Sequence, residues 1–272
     1  MQQVLYAETY IKDEHADWLV FLHGFGGSTQ MFKKQLSYFK DRFNLLLLDL
    51  PGHGRSLAGI AERGIHRFEG VADMVAETLK KYNIEKACFV CVSLGTLVFA
   101  ALQAKYPELV NGAILCGAVA GVNLAWRVLL AVLNQIKYIF PHRFLLWAFA
   151  WILLPWKSHA KSRRFFIESG KQLTREEFLA WFELIVQDMN VLKDTAVEHL
   201  KNVTFISGTE DFTFLKGVKQ LVSAAKDVRL TLLRRCGHVC SLQRPGEFNE
   251  LTMEFLNEMP VQSPEKETNN HG

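Results

Sequence analysis

No block of lysines or arginines occurs in this chain, and its formal charge is only +3. A nucleic-acid partner, which would be gripped through a basic patch, is therefore not expected. So mild an excess of positive charge favours anionic lipid surfaces only modestly. Paired cysteines are missing as well. The five present (Cys88, Cys91, Cys116, Cys236, Cys240) are odd in number and fall mostly in apolar, strand-like segments. Reduced, buried thiols in the cytoplasm are expected, not a disulfide framework. Cys88 and Cys91 form a C-x-x-C, but odd spacing on a strand sends their side chains to opposite faces. Cys236, His238 and Cys240 have no fourth ligand nearby, so no metal site is expected, and no organic cofactor is implied. Met1–Tyr6 offers no basic region followed by an apolar one, so no signal peptide is read. There is no internal repeat. The most apolar stretch, Phe144–Trp156, falls short of the roughly 18 residues that a membrane-spanning helix requires.

What is present is a chain of 272 residues, 49% hydrophobic and 22% charged. That suits one α/β domain with a large core and an insertion. Strand-like segments are read at Val4–Lys12, Trp18–Leu22, Asn44–Leu50, Ala87–Cys91, Gly112–Cys116, Val203–Ser207 and Arg229–Leu233. Asn44–Leu50 is apolar without alternation, as a parallel strand covered on both faces would be. Helical spacing occupies Gln30–Asp41, His66–Tyr82, Ser93–Lys105 and Pro245–Asn257. The alternation of strand and helix predicts a mostly parallel sheet with right-handed crossovers and helices on both faces. The alternation lapses over residues 118–202, which read as helical. The first half of that region is strongly apolar, with a narrow polar stripe of Asn123, Arg127 and Asn134 and a break at Pro141-His142-Arg143, and the second half is amphipathic. The expected organisation is a core of residues 1–117 and 203–258, an inserted helical cover at 118–202 and a flexible tail at 259–272.

Ser93 stands where the run Val90-Cys91-Val92 gives way to Leu94-Gly95-Thr96. Asp211 follows in Gly208-Thr209-Glu210-Asp211, and His238 in Gly237-His238. Each lies just past a strand-like segment. A serine hydroxyl is a poor nucleophile until an imidazole removes its proton, and the imidazole needs a carboxylate to hold its tautomer. The order serine, acid, histidine is that of a nucleophile elbow, in which the serine sits on a sharp strand-to-helix turn. Two backbone donors for a developing oxyanion are expected at Leu94, directly after the serine, and at Phe25 in the loop His23-Gly24-Phe25-Gly26-Gly27. Glu210 is a competing acid. Asp188 and Asp194 read as solvated helix faces, and His23 and His53 as hydrogen-bonding loop residues.

Those motifs, with Asp49-Leu50-Pro51-Gly52-His53-Gly54-Arg55-Ser56, make the chain resemble the α/β-hydrolase superfamily, in the style of its serine esterases and lipases. The resemblance covers residues 1–117 and 203–258, and 118–202 falls where that family carries its cap or lid. It implies a catalytic Ser93, Asp211 and His238. Cys91 and Thr96 depart from the family pattern, standing where small glycines are common, and a slightly looser elbow is the expected result. Serine at the elbow argues against dehalogenases and epoxide hydrolases, which carry aspartate there.

The insertion bears on substrate. A cover this apolar must pack on the site, pair with another chain or meet lipid. Trp126, Trp147 and Trp151 are expected to line a pocket for the acyl group of a small ester, with contact to a membrane surface through the insertion as a second option. The expected activity is hydrolysis of carboxylic esters with medium or long acyl chains, in the cytoplasm or at a membrane periphery. One rival is a lyase similar to the menaquinone-pathway synthase, which has a similar loop and triad and abstracts a proton from a cyclohexadiene carboxylate. It would need cations such as Arg127, Arg143, Arg163 or Arg164. A second rival is a non-catalytic interaction or membrane-associating protein on the same fold.

Overall fold

The computed structural model describes residues 5–56, 58–122, 124–192, 200, 202–226 and 228–259. The expected tail from residue 260 onward, Met1–Val4, Asn123 and Asp194 lie outside them. Seven strands form one sheet: β1 (Ala7–Tyr10), β2 (Trp18–Leu22), β3 (Asn44–Leu48), β4 (Ala87–Val92), β5 (Val110–Cys116), β6 (Val203–Gly208) and β7 (Val228–Leu233). Their order is β1-β3-β2-β4-β5-β6-β7. Every neighbouring pair is parallel except β1 with β3.

The central strands are buried along their whole length, which explains their unbroken apolar sequence. Alternate residues still divide between two cores. Val20, Leu22, Leu46, Leu48 and Cys91 face one side, and Leu19, Phe21, Leu45, Leu47 and Cys88 the other. Cys88 and Cys91 therefore do point apart, and all five thiols are free and buried. The first core is covered by α3 (Phe68–Lys81) and α4 (Leu94–Lys105), through residues such as Val71, Val75, Leu97 and Val98. The second is closed by α1 (Lys33–Phe39) and the last helix, Pro245–Glu258, through Phe39, Phe248 and Met253.

Most boundaries fall within two residues of expectation, and two elements differ more. The first strand is confined to Ala7–Tyr10, because it is a sheet edge that pairs only where β3 offers partners. The helix expected at Gln30–Asp41 opens as a 3₁₀ turn, Thr29–Phe32, before α1 begins. Between β5 and β6 the described residues hold four α-helices: α5 (Leu124–Ile136), α6 (His142–Leu153), α7 (Ala160–Gly170) and α8 (Arg175–Asp188). No helix among the described residues is long and apolar enough to cross a membrane.

The inserted helices are tied to the sheet domain by specific polar contacts. The Glu177 carboxylate on α8 accepts the N–H groups of Ile60 (3.0 Å) and Ala61 (2.8 Å) at the start of the short helix α2 (Ile60–Arg63). Trp181, fully buried on the same helix, donates its indole N–H to the Pro51 carbonyl at 3.1 Å. One helix thus grips both arms of the loop that follows β3.

Candidate active site

Ser93 occupies the single step between β4 and α4, at φ 52° and ψ −112°. A side-chain-bearing residue in that region costs about 1–3 kcal/mol and persists only where its surroundings hold it. Here the Ser93 N–H donates to the Cys116 carbonyl at 3.0 Å. The Ser93 carbonyl accepts the Thr96 N–H at 2.8 Å and the Thr96 hydroxyl at 2.6 Å. Thr96 Oγ1 in turn accepts the Val119 N–H at 3.2 Å, so this threonine fastens the turn to the chain leaving β5. Gly95 is required because a Cβ there would collide with the Leu22 carbonyl of the adjacent strand. Cys91, buried in register between Leu22 and Leu115, is accommodated in the strand with the turn fully formed.

The ends of β6 and β7 supply the other two groups. His238 Nε2 lies 2.7 Å from Ser93 Oγ, and His238 Nδ1 lies 2.8 Å from Asp211 Oδ2. Asp211 can only accept, so Nδ1 carries the proton and Nε2 is left to receive one from the serine hydroxyl. The second Asp211 oxygen accepts the Phe214 N–H at 3.2 Å, which fixes the carboxylate's orientation. All of this is buried: Asp211 and His238 are each 2% exposed. Burial disfavours a charged imidazole, but the adjacent Asp211 carboxylate outweighs it and holds the His238 pKa above its usual value. Gly117, at φ 54°, lets the chain pass directly under the His238 carbonyl.

Glu210, the competing acid, faces away from His238. It accepts from His159 Nε2 at 2.9 Å and from Ser158 Oγ at 3.0 Å, both on the insertion. Gln243 accepts the Gly237 N–H at 2.7 Å and donates to the Ser158 carbonyl at 3.1 Å. These two bridges join the insertion to the loops carrying Asp211 and His238. Sequence reasoning missed Ser158, His159 and Gln243, because no local pattern marks a contact between segments so far apart in the chain.

In the glycine loop, the Gly27 N–H bonds to the Gly24 carbonyl at 2.9 Å and the Gly26 N–H to His53 Nε2 at 3.0 Å. Phe25 lies between them. Leu94 is the first residue of α4, where a backbone N–H has no partner one turn back. A Cβ on Gly24 would stand 3.2 Å from Ser93 Cβ, so the loop passes directly over the serine. His23 and His53 serve as loop hydrogen-bonders. Burial drives the His23 pKa down to about 4 and, with the neighbouring His23 adding to it, that of His53 to about 3. His23 Nε2 receives the Leu50 N–H at 2.9 Å and His53 Nδ1 lies 3.0 Å from the Pro51 carbonyl.

Ser93 and His238 open into a narrow cavity walled by Phe25, Phe149, Leu153, Phe165 and Phe166 among others. A second shares the wall formed by Phe25, Phe149 and Leu153 and is lined further on by Trp126, Leu130, Phe182 and Phe214. Each contains one buried hydroxyl without a partner, Ser162 Oγ in the first and Thr213 Oγ1 in the second. Of the three tryptophans expected in a pocket, only Trp126 is there. Trp147 and Trp151 line neither cavity and lie on the outward face of α6, 48% and 43% exposed. The reason is geometric: α6 is apolar all round, so sequence cannot tell its inner face from its outer one. Among the described residues, no arginine lines either cavity.

A mostly parallel sheet flanked by helices, with a serine on the turn after its central strand, defines the fold of the α/β hydrolases. A family model described as "alpha/beta hydrolase fold" matches residues 17–150, a span that contains Ser93. Over those residues the chain thus carries the α/β-hydrolase fold. A 2-succinyl-6-hydroxy-2,4-cyclohexadiene-1-carboxylate synthase from Escherichia coli O17:K52:H18 (strain UMN026 / ExPEC) is 37% identical over 116 residues, 43% of this chain and 42% of that protein. The match thus spans about two fifths of that curated relative's length. An esterase from Exiguobacterium antarcticum superposes with a TM-score of 0.79 at 16% identity, over 93% of this chain and 95% of its own. The enol-lactonase from Burkholderia xenovorans LB400 does so with a TM-score of 0.76 at 21% identity, over 93% and 96%.

Proposed function

We propose that this protein hydrolyses carboxylic esters of medium or long apolar acyl chains through an acyl-enzyme on Ser93. The observation that carries the reading is the continuous path from Asp211 through His238 to Ser93 Oγ, opening into a cavity with apolar walls. His238 Nε2 takes the hydroxyl proton as Oγ attacks the carbonyl carbon. The resulting oxyanion is received by the N–H groups of Phe25 and Leu94, each contributing about 3 kcal/mol to barrier lowering. The tetrahedral adduct then expels the alkoxide, which collects the proton from His238. Water, deprotonated by the same nitrogen, attacks the acyl-Ser93 ester and releases the carboxylic acid and the free serine. Asp211 holds the imidazole in the required tautomer and stabilises the imidazolium formed in both steps.

The apolar acyl group follows from the walls. Both cavities offer aromatic and aliphatic side chains, and Phe25, Phe149 and Leu153 form the wall between them. A chain burying methylenes there gains about 0.8 kcal/mol for each. The rival lyase reading is favoured by the similarity to the cyclohexadiene-carboxylate synthases. Against it stands the lack of any arginine among the described cavity-lining residues to receive that substrate's carboxylates. A non-catalytic role would leave the relay without a purpose.

The test is a series of p-nitrophenyl esters from acetate to dodecanoate beside the cyclohexadiene substrate, with wild type and Ser93→Ala. Turnover that rises with chain length and disappears in the variant supports the proposal. Preference for acetate removes the acyl-pocket claim, and preference for the cyclohexadiene substrate selects the lyase. A fluorophosphonate probe that leaves Ser93 unlabelled selects the non-catalytic reading.

A further inference from the structure

From Glu108 to Glu168 the chain contains no Asp or Glu between those two residues, although it has 28 acidic residues in all. Within that stretch lie α5, α6 and the start of α7, and their outward side is apolar and aromatic. On α6, Phe144, Trp147 and Trp151 follow one another at helical spacing, each between 43% and 48% exposed. Their rings run on in contact, Phe140 to Phe144 at 5.5 Å, Phe144 to Trp147 at 6.1 Å and Trp147 to Trp151 at 6.2 Å. The Arg163 guanidinium covers the far end of this ladder, 3.6 Å from the Trp151 ring centre. On α5, Leu124, Val128 and Val132 are more than half exposed, and Tyr138 and Ile139 extend the surface beyond it. Arg127, Arg143, Lys157, Lys161 and Arg164, all exposed, belong to the same stretch of chain, and no ion pair with a carboxylate is found for them among the described residues.

An exposed apolar surface of this extent calls for a covering partner. Tryptophan and tyrosine suit the boundary between acyl chains and water, and exposed cations on a stretch of chain that holds no carboxylate before Glu168 are complementary to acidic headgroups. We propose that the α5–α6 face docks on the surface of a bilayer containing anionic lipid, with Trp147 and Trp151 seated at headgroup depth and the cations on the phosphates. The inner side of α6 supplies Phe149 and Leu153 to the cavity beside Ser93, so docking sets lipid and cavity on opposite sides of one helix. The inference stands independently of the reaction assigned to Ser93.

The experiment is flotation of the full chain with vesicles of phosphatidylcholine alone and of phosphatidylcholine with phosphatidylglycerol at roughly 3:1, at low and high salt. The expected result is flotation with the anionic vesicles, weakened by salt. Trp147→Ser with Trp151→Ser should lower the bound fraction by about tenfold, and Arg143→Glu with Arg164→Glu by a similar factor on anionic vesicles only. Fluorophosphonate labelling of Ser93 and turnover of a short soluble ester, expected to stay within about twofold of wild type, establish that these variants are folded. Absence of flotation, or flotation indifferent to the tryptophan pair, overturns the proposal. So does a concentration-dependent dimer that the tryptophan substitutions dissolve, which would give the face to a second copy of the chain.

Discussion

Ser93 is held in a backbone conformation that serine does not favour by itself, and the bonds to Cys116 and Thr96 account for its persistence. Ser93→Ala keeps those backbone bonds, so ester hydrolysis is expected to fall by at least about 10³-fold while the thermal midpoint moves little. Steady-state kinetics beside a melting curve check both. The two neighbouring acids offer a sharper contrast. Asp211→Asn should cost about 10³–10⁴ in kcat by freeing the imidazole tautomer. Glu210→Gln, whose carboxylate faces His159, should leave kcat within a fewfold range. The protonated form of His238 cannot take the serine proton, and its pKa is raised. Activity should therefore fall with decreasing pH, and the midpoint in kcat/KM should lie above the ordinary imidazole value near 6.5. A midpoint below that value would contradict the His238–Asp211 pairing. Ser93, Asp211 and His238 were legible in the sequence because each ends a strand and parallel strands end on the same side of a sheet. Ser158, His159 and Gln243 were not, since their partners lie in segments that only the tertiary fold brings near.

At the level of elements, α8 acts as the clamp between insertion and sheet. Its Glu177 carboxylate is the acceptor for two backbone N–H groups of Ile60–Arg63, and both lose their partner in Glu177→Ala. A loss of about 1–3 kcal/mol in stability is expected from denaturant titration. The helix α6 shows the limit of reading a pattern. Polarity on one side orients α8 from sequence, whereas α6, with apolar residues on every side, gives no such cue. That is why Trp147 and Trp151 were expected in the pocket and are found outside it. Phe149, on the inner side, divides the two cavities. Phe149→Ala should join them and shift the preference toward longer acyl chains by about tenfold in the ratio of dodecanoyl to butyryl kcat/KM. An unchanged ratio would place the acyl chain elsewhere.

Across the whole molecule, the alternation of strands and helices made the sheet legible, because each crossover helix leaves its own periodicity in the sequence. The insertion was legible as a helical interruption, but not in its placement. Its position beside the cavities depends on contacts that no single segment records, such as Trp181 with Pro51. The serine arrives on β4, whereas its acid and imidazole come after β6 and β7, on the far side of the insertion. A chain emerging from the ribosome thus has its hydroxyl in place long before anything can activate it. Under the proposed mechanism, reactivity toward a serine probe should report completion of the final strand, and the nascent protein should stay chemically silent until its fold is closed.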